Sequence, residues 1–171
     1  MSRHLVEPAT DMIIAHIQQY IGAALLEISS ARNAIFNYGV AIPNPREYFI
    51  DKNQMALQPT SIFVVANSID FKKDRGANFV DASAKYGIAA ICEAQTTNDV
   101  ARITWRYQAA LSQILDNKQL NSSDNTFSLK IIVQGAEFSE TYDPGTQQGS
   151  PAKNWRKGVQ LTCDVELWEN L

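Results

Sequence analysis

The side chains able to do chemistry are few, and their spacing limits what they can do. His4 and His16 are the two histidines. His4 stands near the start of the sequence, and His16 lies beside Ile17 with no second His, Cys or carboxylate spaced to share one face with it. No metal site and no cofactor are expected. Cys92 and Cys163 each fall inside an apolar, strand-like run, where a buried reduced thiol is the ordinary outcome and a disulfide framework lacks partners. No serine sits in a nucleophile-elbow sequence, so no catalytic residue is nominated and an enzyme is not expected. Gly145-Thr146-Gln147-Gln148-Gly149-Ser150-Pro151 has the glycines of a phosphate loop, but Pro151 removes a backbone N–H and Lys153 is displaced from the position after the second glycine. Asn121-Ser122-Ser123 matches a glycosylation acceptor and reads as a turn.

What remains suits contact with another molecule. Arg102 and Arg106 stand four apart, on one side of an amphipathic run, where they could clamp a carboxylate or phosphate or simply be solvated beside Asp99 and Asp116. Trp105 among the polar residues of that run, and Trp168 on the polar face of the last strand, leave large apolar area to be covered by a partner or by the edge of the chain's own core. Trp155, followed by Arg156 and Lys157, is a third anchor of this kind. Lys72, Lys73 and Arg75 add a basic group in a turn-rich segment.

Hydrophobic periodicity supplies the elements that position these residues. Ile13, Ile17, Ile21, Leu25 and Ile28 recur at three- and four-residue steps, predicting a helix over 9–29, capped by Thr10 or Asp11 and kept from starting earlier by Pro8. Residues 1–8 then form a tail. Pro43, Pro45 and Pro59 make 30–60 an irregular but apolar connection. Ser61–Asn67 reads as a covered strand, 69–84 as a long hairpin loop, and Tyr86–Gln95 as a second strand rich in small residues. The cluster Thr97-Asn98-Asp99 opens a helix to about Asp116 that buries Val100, Ile103, Tyr107, Ala110, Leu111 and Ile114 and turns Arg102 and Arg106 to its polar side. Phe127 to Val133 alternates as a strand that can continue past Gly135, a candidate bulge, to Phe138 or Tyr142. After a loop over 143–157, Val159, Leu161, Cys163, Val165 and Leu167 alternate with polar residues.

The expected class is therefore α+β: one domain over 1–171, with its core in 61–171. It forms a two-layer sandwich of a mainly antiparallel four-stranded sheet with two helices on one face, in the order α-β-β-α-β-β, carrying long hairpin loops. The 171 residues, 45% hydrophobic and 19% charged, are ample for an ordinary core. A net charge of −3 supplies no global positive field for nucleic acid or an anionic membrane. No apolar leader precedes Pro8 and no run of eighteen apolar residues occurs, so a soluble protein made in a cytoplasm is expected.

This layout resembles the tail terminator and tail-completion (head-to-tail joining, neck) proteins of tailed bacteriophages. The likeness rests on the element order, on Gly87-Ile88-Ala89-Ala90-Ile91-Cys92-Glu93 leading into a helix through Thr97-Asn98-Asp99, and on the stretch Val100-Ala101-Arg102-Ile103-Thr104-Trp105-Arg106-Tyr107-Gln108-Ala109-Ala110-Leu111. It covers roughly 60–170. The resemblance implies a structural virion subunit without catalytic residues. Six copies would form a ring that caps the tail tube and meets a neck or head-closure protein, with genomic DNA sliding through the lumen unbound and no membrane partner. On this reading 69–84 and 143–157 touch the tube or the neck, and the first helix, Trp105 and Trp168 make subunit contacts. A head-closure protein, or a small ligand-binding domain or enzyme with its pocket under 143–157, are the alternatives.

Overall fold

Alternation along 79–94 and 155–170 decides how the chain is layered. The computed structural model describes residues 5–36, 39–51, 60–72, 79–143 and 154–170. Among these the elements run α1 (Val6–Phe36), β1 (Glu47–Phe49), β2 (Ser61–Phe71), β3 (Phe79–Ala94), α2 (Thr97–Leu115), β4 (Lys118–Asn121), β5 (Phe127–Phe138) and β6 (Trp155–Asn170). Strands β3 and β6 pair antiparallel along their whole sixteen-residue length. Every second residue, Ala82, Ala84, Tyr86, Ile88, Ala90 and Cys92 on β3 and Val159, Leu161, Cys163, Val165 and Leu167 on β6, is buried. That dry face receives both helices. Helix α1 packs on β2 and α2, and α2 packs on β3, β5 and β6.

The sheet order is β1-β2-β3-β6-β5-β4. The expected four-stranded sheet is thus six-stranded: the four long strands are those the alternation predicts, and two short ones flank them. Strand β1 lies parallel to β2 at Ser61–Phe63 and β4 antiparallel to β5 at Ser128–Ile131. Register slips once on each outer strand, between Ala66 and Ser68 on β2 and between Val133 and Gly135 on β5, the second where a glycine bulge is expected.

Three boundaries move. The segment 69–84 is not a long loop, because β2 continues to Phe71 and β3 begins at Phe79, with Ala82 and Ala84 as the small inward residues of a true alternation. Of the tail expected over 1–8, residues 1–4 lie outside the described residues, and the rest differs: a helix starts at Val6 with Leu5 buried before it. Pro8 does not block it, since the first helical turn has no intrahelical use for the missing N–H. Thr10 is consequently no cap. Its Oγ1 donates to Val6 O at 2.7 Å and lies 3.1 Å from Tyr86 Oη, tying the helix start to β3. At its other end α1 runs past Ser29 to Phe36, so the irregular connection is shorter than 30–60 and contains β1.

Core energetics follow from α1 and α2. Ile13, Ile17 and Ile21 are essentially inaccessible, and each such burial contributes about 1.5–3 kcal/mol relative to exposure. Helix α2 is capped one residue earlier than its acidic cluster suggests: Thr96 Oγ1 accepts from Asp99 N at 3.1 Å and donates to Asp99 Oδ2 at 2.7 Å. Tyr107 Oη donates to Pro43 O, which ties the apolar connection down on α2.

The two helices are also joined by His16, whose Nε2 lies 2.8 Å from Ile114 O. A carbonyl only accepts, so Nε2 carries the proton. Burial lowers the pKa of His16, the Ile114 bond raises it in part, and Lys118 lowers it further. Between the depressed folded value and the ordinary one, the unfolded chain binds more protons, so stability must fall as pH drops through about 6.5 and level off below the folded pKa. Urea unfolding between about pH 8 and pH 5 is expected to show this loss, and His16→Gln, which can still donate to Ile114 O, is expected to lack it.

Candidate functional site

Helix α2 carries most of the candidate contact residues, and its pairing with α1 determines which of them reach solvent. The run Ala31-Arg32-Asn33-Ala34 has no helix breaker, so α1 extends alongside the first half of α2 and adds Arg32 and Asn33 to the residues there. Between the two helices opens a groove of about 630 Å³ whose lining includes Ile28, Arg32, Ala101, Arg102, Trp105 and Arg106. Trp105 stands 54% exposed at its side.

Arg106 departs from expectation. The helix pattern puts it on the polar side, yet it is only 5% exposed. The cause is the extension of α1: Arg106 Nη2 donates to Asn33 Oδ1 at 2.8 Å, and Nη1 reaches Val40 O at 3.5 Å. Both acceptors are neutral. Burial lowers the Arg106 pKa, and Arg102 and Arg32 push it the same way, because each brings a like charge close to this guanidinium. Asp99 Oδ2 accepts from the Thr96 hydroxyl at 2.7 Å, and Asp116 Oδ1 accepts from Val133 N at 3.1 Å. The sequence reading of 102 and 106 as a possible anion clamp missed Arg32, which lay in the segment read as irregular. The uninterrupted helix-forming run after Ser30 is the signal that points to it.

The other candidates stand apart from this groove. At the base of the second hairpin, Arg156 Nε pairs with Glu93 Oε2 at 2.7 Å, and Asn154 Nδ2 donates to Glu93 Oε1 at 2.7 Å. Arg156 also makes a two-way backbone bridge to Tyr142 at 2.9 Å, so it pins the hairpin to β3. Trp155 is 37% exposed beside it. Lys72 lies at the opposite end of the sheet, its Nζ 3.4 Å from Asp81 Oδ1. There Trp168 faces Asp81 on one side and Ser128 on the other, on the sheet face away from the helices. Lys73 and Arg75 lie outside the described residues. A shallower groove of about 350 Å³ beside the second hairpin is lined by Ala89, Ile91, Phe138, Tyr142 and Gln160, among others.

Reactive chemistry is muted in what is described. Cys92 and Cys163 are buried and unpaired to each other, and burial pushes each thiol up to about 12, far from a thiolate at neutral pH. Among the described residues no group of three His, Cys, Asp or Glu side chains could hold a metal ion. Among the described residues, too, no helix is long and apolar enough to cross a membrane.

No family model and no curated protein matches the chain. Solved structures do. A chain from the "Virion of native gene transfer agent (GTA) particle" aligns with a TM-score of 0.51 over 96% of this chain and 99% of that chain, at 14% identity. The two chains share a fold. The likeness covers both layers end to end.

Within the groove, burial separates structural from surface residues. Arg106→Ala removes the donors to Asn33 Oδ1 and Val40 O and is expected to cost about 2–3 kcal/mol in denaturant unfolding. Trp105→Ala, at an exposed position, is expected to stay within about 0.5 kcal/mol of the parent in the same measurement.

Proposed function

We propose that this chain is a structural virion protein of phage-like particles, a tail terminator subunit whose copies form a ring, taken as a hexamer, between the tail tube and the neck. The observation that carries the proposal is the end-to-end fold likeness to a chain of a gene transfer agent virion. Other features support it. The β2–β3 and β5–β6 hairpins leave the sheet at opposite ends, since Phe71 pairs with Ala82 at one end and Phe138 with Val159 at the other. One subunit thereby offers two separate ends, one toward the tube and one toward the neck or head-closure partner. A net charge of −3 suits a lumen through which DNA slides, because acidic walls do not hold phosphates.

Copies in a ring of more than two meet through two different patches, and such heterologous contacts form a ring when the rotation closes. Native mass spectrometry and negative-stain imaging of the purified protein, alone and with tail tube protein, test the reading. Closed rings that bind tube ends are the expected result. A strict monomer that ignores assembled tubes overturns it, and rings that bind the head connector but not the tube point to head closure instead.

A further inference from the structure

Among the described residues, three that are not glycine hold a left-handed backbone: Thr60 at φ 40°, Asn117 at 55° and Asn125 at 56°. Asparagine visits that region readily, whereas the branched Cβ of threonine crowds the following carbonyl there. Thr60 therefore carries strain that the two asparagines do not. It carries a second cost as well. The residue is 1% exposed, and its Oγ1 is buried without a hydrogen-bond partner. Strain of this kind persists only where the surroundings impose it.

The neighbour that imposes it is β1. Arg46 N donates to Thr60 O at 2.9 Å, immediately before the parallel pairing of Glu47–Phe49 with Ser61–Phe63. Phe49 stacks on Phe63 with ring centroids 5.0 Å apart, and Tyr48 packs partly buried against the core. Upstream the chain is fastened to α2, where Tyr107 Oη donates to Pro43 O and Arg106 Nη1 reaches Val40 O. Past these ties Asn44, Arg46 and Ile50 are exposed. Strand β1 is the outermost of the sheet and is paired on one side, to β2. The cover over the start of β2 is thus three residues long, and a strained, unsatisfied residue at its base opposes it.

We propose that residues 44–50 form a strap that lifts from β2 as a local unit, with Thr60 as its spring. When the Arg46–Thr60 bond breaks, Thr60 relaxes to extended backbone and its hydroxyl reaches water. Lifting uncovers the Phe63 ring, which is 5% exposed with the strap in place. It also joins Ser61–Phe63 to the stretch of β2 that β1 does not cover, so the edge open to an incoming strand runs from Ser61 to Phe71. The strap thereby sets how long an edge β2 presents. It operates within a single copy, so neither a ring nor a tube is needed for it.

Hydrogen exchange of backbone amides, followed by NMR on the full chain in water and in urea below the unfolding transition, tests the strap. In the parent, the Arg46 amide is expected to exchange at least a hundredfold faster than Tyr107 and Leu111 inside α2, at a rate nearly independent of urea. Arg46 exchange that follows the urea slope of α2 overturns the local unit. Thr60→Gly removes both the crowded Cβ and the orphan hydroxyl, costs that the opened and the unfolded chain do not carry. Arg46, Tyr107 and Leu111 are therefore all expected to slow by a similar factor of at least fivefold. Slowing in α2 with Arg46 unchanged means that Thr60 keeps its conformation when β1 lifts, and it overturns the spring. Unchanged or faster exchange throughout overturns the strain itself. Thr60→Val keeps the branched Cβ and loses only the hydroxyl, so it is expected to slow exchange less than Thr60→Gly does. Equal slowing in the two variants assigns the whole cost to the hydroxyl and overturns the backbone spring.

Discussion

Two sixteen-residue strands, β3 and β6, lie antiparallel over their full length, and only one of their two faces is dry. Small residues on β3, Ala82, Ala84 and Ala90, alternate there with Tyr86 and Ile88, while β6 supplies branched chains and Leu. A helix can settle close to such a face without forcing side chains off their rotamers. Everything else takes its position from that ladder. Helix α2 lies over it and α1 leans on α2 and β2, so the register of two strands determines where the arginines of α2 stand relative to α1. A one-residue slip would turn the dry set to water and leave both helices without a seat.

The helix layer combines packing with a groove open to solvent. Arg106 is part of the structure, joined to Asn33 and Val40, and also part of the groove wall. Such a residue couples the two roles. The Arg106 guanidinium is held in a fixed place by the same bonds that join it to Asn33 of α1 and to Val40. Trp105, one residue earlier in the sequence, faces outward and contributes area without carrying the fold.

Much of this was legible in the residues. Both helices, the four long strands, the buried thiols and the irregularity near Gly135 follow from periodicity of 3.6 or 2 and from glycine's freedom. The short strands were not, because Glu47-Tyr48-Phe49 and Lys118-Gln119-Leu120-Asn121 are too brief for a period to show and are set by the neighbours they pair with. The start of β3 escaped because Ala82 and Ala84 are weakly apolar, though they alternate faithfully with Asp81, Ser83 and Lys85. Of the candidate site, Arg102, Trp105 and Arg106 were visible as a helical triplet. The burial of Arg106 was not, since it depends on a second helix whose last turns were masked by the Ser29-Ser30 pair and had to be inferred from distant packing.

The two register slips on the outer strands acquire a meaning when set beside the short flanking strands. Strand β1 shields β2 only at its beginning, and β4 shields β5 only near its beginning. Each slip falls beyond the shielded part, at Asn67 and at Gln134, on backbone that no described strand covers. An unshielded flat edge is a template for indiscriminate strand addition, and a local kink with extra twist breaks its even row of donors and acceptors. The chain can thus keep long uncovered edges without polymerising into a fibre. Any strand that does add there must match the kink, which makes the irregular edge selective about its neighbours.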